Sequence, residues 1–523
     1  AGGFNFRNAT TTLRGGPAAN DYNSIASFLL GVSRESGRNI LSSDEYKVRA
    51  TFYSLYVRDR WQVTPRLTLS YGLRWEYYPF PTRPERGLER YDFNTNESIL
   101  CGLGSTPKDC GLNGSKKLFA PRVGLAWRAT DTLVVRAGYG MTYDPFSLGR
   151  DLRANYPVQF VQNLPFDTTW SYSTTLDRGL PASPVVAEQE RLPLPLTAAY
   201  ITADGNFKRG YVQSWNLTME KQLGNWIGSA GYVATRSIRQ TSFLNANWAD
   251  LGRGQAGQQL VQRFGRNAAT TFIGHLGTTK YDSMQARVQR RFRGGYQLQF
   301  SYTWGHSLGY AAENSTSSPR VNHPLYWDLN YGSTPLDVRH NAVVSAVMQL
   351  PFGKGAKWAQ TGVAAAILGG WQLNALNRMT TGTAVTPTAP GTTLNAPGSG
   401  QFADCLGPVP IVGSRTQWWD RTNLADPNAV SPNVARFGTC GTNVLRTPGL
   451  INVDMGVFRR ININERVNVQ IRGEAFNISN TPHFGNPNSD VSSGNFGLIG
   501  GVQNTGREGN DQRFFRIGIR VGF

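Results

Sequence analysis

The sequence predicts an all-β fold, an antiparallel transmembrane β-barrel. Three observations carry that expectation. Runs of about ten residues recur with apolar side chains at every second position, the pattern of a strand that crosses a bilayer. The best continuous apolar run, "GVAAAILGGW", falls well short of the roughly 20 residues a membrane helix needs. Short and long connections alternate strictly along the chain, as in barrels with short periplasmic turns and long extracellular loops. Composition agrees: 58 glycines, 11% aromatic residues and only 17% charged residues favour strands and turns. A soluble chain of 523 residues would usually divide into several domains, yet no linker composition breaks this one. A barrel needs no linker, because it grows by adding strands.

From the start, "GGFNFRN" reads as the tail of a truncated strand. "RLTLSYGLRWEYY" places Leu67, Leu69, Tyr71, Leu73, Trp75 and Tyr77 on one face, with Arg66, Thr68, Ser70, Arg74 and Glu76 opposite. "RVGLAWRA" and "TLVVRAGYGMTY" continue it, Val123, Leu125 and Trp127 against Arg122, then Val135, Ala137 and Tyr139 against Arg136. "YQLQFSYTWGHSL" aligns Tyr296, Leu298, Phe300, Tyr302 and Trp304. Near the end, "LINVDMGVF" is followed by "RVNVQIRGEAF", with Val467, Val469 and Ile471 against Arg472 and Glu474. In the final "RFFRIGIRVGF", Phe515, Ile517, Ile519, Val521 and Phe523 alternate with Arg516, Gly518, Arg520 and Gly522. Odd-numbered residues of 67–77 and 515–523 are therefore expected to face lipid. Thirteen strands come after Val48, and the initial tail brings the count to about fourteen. Segments 338–350 and 368–379 are joined by "PFGKGAKWAQTGVAAAI", whose apolar tail reads as an extension of the second strand.

Short links fall at Thr64–Pro65, "ATDT", Gly224–Asn225, "RGG" and "NIN". Between them lie the long polar segments 79–118, 144–210, 237–280, 310–335, 380–446 and 480–512. Cys101 with Cys110, and Cys405 with Cys440, each fall inside one such segment, which suggests two local disulfides in an oxidising compartment.

Lys and Arg outnumber Asp and Glu by 53 to 34, a formal net charge of +19. The basic residues are scattered rather than striped, which argues against nucleic acid and for outer-membrane lipid or an anion-attracting lumen. Lumen-facing candidates are Arg66, Arg74, Glu76, Arg122, Arg136, Arg472, Glu474, Arg516 and Arg520, as wall residues or as guides for an anionic solute. Trp170, Tyr172, Trp418 and Trp419 lie in long loops as candidates to stack on a nutrient ligand, or to pack within the loops. Five scattered histidines form no metal-ligand spacing, no cofactor motif occurs, and no GxSxG marks a hydrolase. Asp337 and His340 in "DVRH" read as a turn-capping pair. An enzyme is not expected.

Several stretches together resemble the C-terminal barrel half of TonB-dependent outer-membrane receptors, within the group that carries a carboxypeptidase-regulatory-like domain ahead of its plug. They are "YSLYVRDRWQVTPRLTLSYGLRWEYY", "FAPRVGLAWRATDTLVVRAGYGMTYD", "YVQSWNLTMEKQL", "YDSMQARVQRRFRGGYQLQFSYTWGHSL", "DVRHNAVVSAVMQLPFG" and "RGEAFNISNTPHFG". The resemblance implies a barrel of about 22 strands filled by a plug and preceded by a TonB box. None of those parts is visible here, so residues 1–523 read as the C-terminal part of such a barrel, without plug, TonB box or signal peptide. It further implies energised uptake of a bulky nutrient (siderophore, oligosaccharide or peptide) through the TonB system. Phe523 resembles the terminal aromatic signal read by the barrel-assembly machinery. A passive porin and a surface adhesin are the alternative functions.

Overall fold

The computed structural model describes residues 2–11, 20–41, 47–112, 114–145, 148–164, 172–182, 188–310, 319–503 and 512–523. Its dominant element is a meander of thirteen strands, each antiparallel to the next in sequence. They are β1 (Tyr53–Thr64), β2 (Leu67–Tyr77), β3 (Leu118–Arg128), β4 (Leu133–Tyr143) and β5 (Tyr211–Leu223). Then come β6 (Trp226–Asn245), β7 (Thr270–Arg293), β8 (Tyr296–Gly309) and β9 (His340–Gln349). The meander closes with β10 (Trp371–Thr380), β11 (Leu450–Asn462), β12 (Asn468–Phe476) and β13 (Phe514–Gly522). Two short strands, Tyr200–Ala203 and Gly332–Ser333, join β7 and β8 off that path. Among the described residues, β1 pairs only with β2 and β13 only with β12, so the sheet has two free edges.

Register puts the two chemistries on opposite faces. Ile471 lies opposite Ile519 and Val469 opposite Val521, while Glu474 lies opposite Arg516 on the other face. Ile517 is 84% exposed on the apolar face, an arrangement suited to lipid and not to water. On the polar face, a Cβ added at Gly518 would sit 3.0 Å from Arg472 Nε, so the glycine makes room for the neighbouring arginine. Tight turns need their own chemistry: Gly224 adopts φ 59°, the left-handed region that glycine enters without strain.

Three expectations change. Gly2–Asn5 is not a wall strand: it pairs with Glu35–Leu41, which also takes Gln159–Leu164, in a separate small sheet. Four residues are too few to cross a bilayer. The apolar tail of the β9–β10 connection forms a helix, Gly362–Leu368, rather than lengthening β10. Its run of alanines favours helix over strand. Nearly half of the segment 237–280 is strand, because β6 and β7 continue to 20 and 24 residues, well past a membrane span of about ten. Register shifts between Ile238 and Ser242 interrupt the alternation there, which hides the strand from a period-two reading.

Among the described residues, the wall itself encloses no cluster of buried apolar side chains. Four clusters of buried apolar residues all lie on the long-connection side, where they form a cap. One half packs Leu88, Leu148, Leu152, Phe243 and Ile273, with Tyr91, Tyr156, Phe160 and Tyr200 alongside. The other packs Trp419, Leu424, Val491 and Phe496, with Leu394, Phe402 and Phe437 beside them. The halves are stitched together by backbone bonds from Gly252 N to Leu394 O (2.8 Å) and from Gly254 N to Asn395 O (2.7 Å).

Candidate functional site

The polar face of the wall carries the predicted arginines, and most have found partners. Arg66 pairs with Asp131 (3.3 Å), Arg74 with Glu76 (2.7 Å), Arg136 with Glu220 (3.7 Å) and Arg516 with Glu474 (2.9 Å). Glu76 is buried; the exposed pairs, such as Arg66 with Asp131, add little stability but neutralise the wall locally. Arg122, Arg472 and Arg520 form no ion pair among the described residues. These residues sit on strands at the two ends of the sheet, so they do not converge on one point. Phe523 lies one residue beyond β13 and is 99% exposed.

The cap gathers residues that the sequence keeps apart. Asp337 is buried, and its carboxylate accepts from Arg446 Nη2 (2.5 Å), Arg339 Nε (3.1 Å) and the backbone N of Ser307 (2.7 Å), with His306 Nδ1 at 3.2 Å. Burial pushes its pKa up, but the bonds from Arg446, Ser307 and His306 outweigh that and hold it below the usual carboxylate range. The pair read in "DVRH" is therefore divided: His340 instead hydrogen-bonds the Tyr302 hydroxyl (2.8 Å) and stacks on its ring. Asp404 is likewise held low, first by Arg436, which grips it bidentately at 2.8 and 2.6 Å.

Trp419 is fully buried, and both Trp418 and Trp419 donate their indole N–H to Arg446 O, at 2.9 and 2.8 Å. Both indoles tie the cap core to the Asp337 cluster; the buried Trp419 ring offers no platform to a ligand, whereas Trp418 is half-buried and lines a second cavity with Arg339, His340 and Ile451. Tyr172 is 47% exposed, and Trp170 lies outside the described residues. Cys101 is bonded to Cys110 and Cys405 to Cys440, one disulfide in each half of the cap. Arg266, absent from the sequence candidates, is buried and donates to the carbonyls of Pro195 (2.9 Å) and Ala198 and to Thr270 Oγ1 (3.0 Å). Burial lowers its pKa to about 10.

On the polar face of the central strands, towards the long connections, lies a cavity of about 770 Å³. Its floor comes from β4 to β8 through Thr142, Ser214, Ser237, Thr279 and Ser307, and Arg122 reaches it from β3. Tyr143, Asp144 and Tyr211 close one side; Tyr310, Trp327 and Pro335 close the other. This volume falls within the usual range for small-molecule sites, about 300–1,000 Å³. Only Arg122 among the predicted lumen residues lines it. Isolated serines and threonines in strands carry no sequence signal of their own, and the register alone aligns them. Among the described residues, no group of three or more His, Cys, Asp or Glu side chains is placed to hold a metal ion.

A family model described as an outer membrane beta barrel domain matches residues 1–513. No curated protein matches the chain. Solved structures that do match include the ferric enterobactin receptor of Pseudomonas aeruginosa, at 11% identity and a TM-score of 0.43, covering 90% of this chain and 45% of that one. The FrpB iron transporter of Neisseria meningitidis matches at 11% identity and TM-score 0.43, covering 91% and 46%. The ferric-catecholate import receptor of Escherichia coli K12 matches at 11% identity and TM-score 0.40, covering 93% and 45%. The chain thus spans less than half the length of these structures.

Proposed function

As the chain belongs to the outer membrane beta barrel domain family and so to the outer membrane, we propose that it forms part of the wall and mouth of a transporter for a bulky nutrient. The observation that carries the reading is the cavity on the polar face of the wall, a place where a solute can be held before it passes. An open pore needs no such packed cap. The free edges of β1 and β13 support the view that these residues are a portion of a larger wall. Active uptake driven through TonB, by way of a region outside residues 1–523, is the form of transport proposed, with the lumen arginines lining the path.

The test is accumulation of a nutrient by cells that carry the full-length protein. Expected is uptake against a concentration gradient that stops when the proton gradient is collapsed or TonB is removed. Uptake that merely equilibrates, and persists after both treatments, would show a passive pore instead. Binding to cells or matrix with no uptake at all would indicate an adhesin.

A further inference from the structure

We propose that the mouth cavity is a binding site for a neutral, hydroxyl-rich chain, that is, an oligosaccharide. Passage of the bound sugar across the membrane rests on the transport reading; binding itself does not. The first ground is the floor. Thr142, Val212, Ser237 and Thr279 stand in one register row across β4 to β7. Ser214, Thr235 and Ser307 belong to the next row down. Neighbouring strands are about 4.8 Å apart, so hydroxyls recur at multiples of that spacing along each row. The hydroxyls of Thr142, Ser237 and Ser307 have no protein partner among the described residues. Each can both donate and accept, which suits the hydroxyls of a sugar.

The second ground is the side wall. The rings of Tyr310 and Trp327 lie nearly parallel, 5.9 Å apart at 17°. Tyr310 is fixed by its hydroxyl bond to Asp328 Oδ1 (2.9 Å), so this pair is a rigid plate. The C–H face of a pyranose is weakly positive and rests favourably on such a π surface. The third ground is charge. A phosphate, a carboxylate-rich peptide or an anionic metal chelate calls for several converging cations. This cavity offers one, Arg122, with Asp144 in the same lining. Arg239, over the Tyr211 ring, and Arg209, bonded to Asp144 O, belong to the adjoining pocket and stand behind that side of the lining rather than in it.

The experiment uses the full chain, purified in detergent, and reads tryptophan fluorescence and titration calorimetry. Probes are an array of neutral oligosaccharides that includes maltohexaose and cellohexaose, a hexaglycine peptide, and ferric tris-catecholate. Expected is binding of at least one neutral oligosaccharide, unchanged when salt is raised about tenfold, since no net charge is matched. Ser237→Val and Trp327→Ala should each weaken that binding about tenfold or more, a loss of about 1.4 kcal/mol. Trp327→Phe, which keeps a ring, should restore most of it. Heat-modifiable migration on gels checks that each variant remains folded. Failure of every oligosaccharide to bind would overturn the proposal. So would oligosaccharide binding that survives both substitutions, or binding of the peptide or the iron complex alone. Normal oligosaccharide binding without uptake would instead remove the transport reading and leave this site standing.

Discussion

Leu217 stands at the middle of β5, on the apolar face, and is 45% exposed. Asn216 beside it faces the lumen, opposite Gly138 and Val233. An arginine at 217 must enter the hydrocarbon at mid-depth, whereas one at 216 enters a wet interior. Leu217→Arg should therefore cost about 2–4 kcal/mol of folding free energy in lipid vesicles, and Asn216→Arg close to none. Equal losses in a denaturant titration would reverse the assignment of the two faces. Arg266 tests the cap in the same manner. Arg266→Ala removes the guanidinium bonds to the Ala198 and Pro195 carbonyls and to Thr270 Oγ1; Pro195 O keeps the Ala198 N–H, so the loss falls mainly on the buried Ala198 carbonyl and Thr270, at a cost of about 1–3 kcal/mol. Proteolysis should then cut the 188–270 region faster, while the wall keeps its heat-modifiable migration. What could be read at this scale was which residues of a strand share a face, because neighbours two apart in sequence decide it. What could not was the fate of Trp419 or Asp337. Asp337 and Arg446 are 109 residues apart, and nothing local announces that they meet.

At the scale of elements, the strands of ordinary length were legible and the unusual ones were not. β12 and β13 are clean alternations that pair through nine consecutive residues. β6 and β7 break alternation at their bulges, and the helix Gly362–Leu368 is apolar without being a strand. Loop closure offers a test of the cap elements. Cys405–Cys440 closes a separation of 35 residues and Cys101–Cys110 one of 9. Chain entropy then predicts a loss of about 4 kcal/mol for the first bond and about 2.5 kcal/mol for the second. Cys405→Ser with Cys440→Ser should loosen its cap half more than Cys101→Ser with Cys110→Ser loosens the other. Hydrogen exchange at 381–449 and 78–117 measures both, and the reverse order would show that packing outweighs closure.

For the whole molecule, the cap and the wall should part company in acid. Asp337 and Asp404 both have pKa values held below the ordinary carboxylate value. Their contribution is complete above about pH 4, where the unfolded groups would be ionised, and disappears as pH falls through the lower folded values. Wall hydrogen bonds do not titrate. Protease digestion of the protein in vesicles should thus leave the cap intact at pH 5 and open it near pH 2, with the wall protected throughout. A cap that opens already at pH 5 would show that these two aspartates are not its acid-sensitive ties. The barrel class was legible at this scale, since a wall repeats one local rule many times. The cap was not, because it is assembled from pieces of six separate connections.

That scattering of the cap along the chain has a consequence in time. No single connection holds enough apolar surface to make its own core: the cluster around Trp419 draws on 381–449 and on 477–503, which flank β11 and β12. Until neighbouring strands have zipped together, these pieces are tethered far apart and closing the gap is entropically expensive. Each disulfide, by contrast, joins two cysteines of one connection and waits for no strand. The expected order of maturation is oxidation of the thiols on the unfolded precursor, then insertion of the wall, then condensation of the cap; pulse-labelled protein whose cap resists protease before its wall becomes heat-modifiable would reverse it.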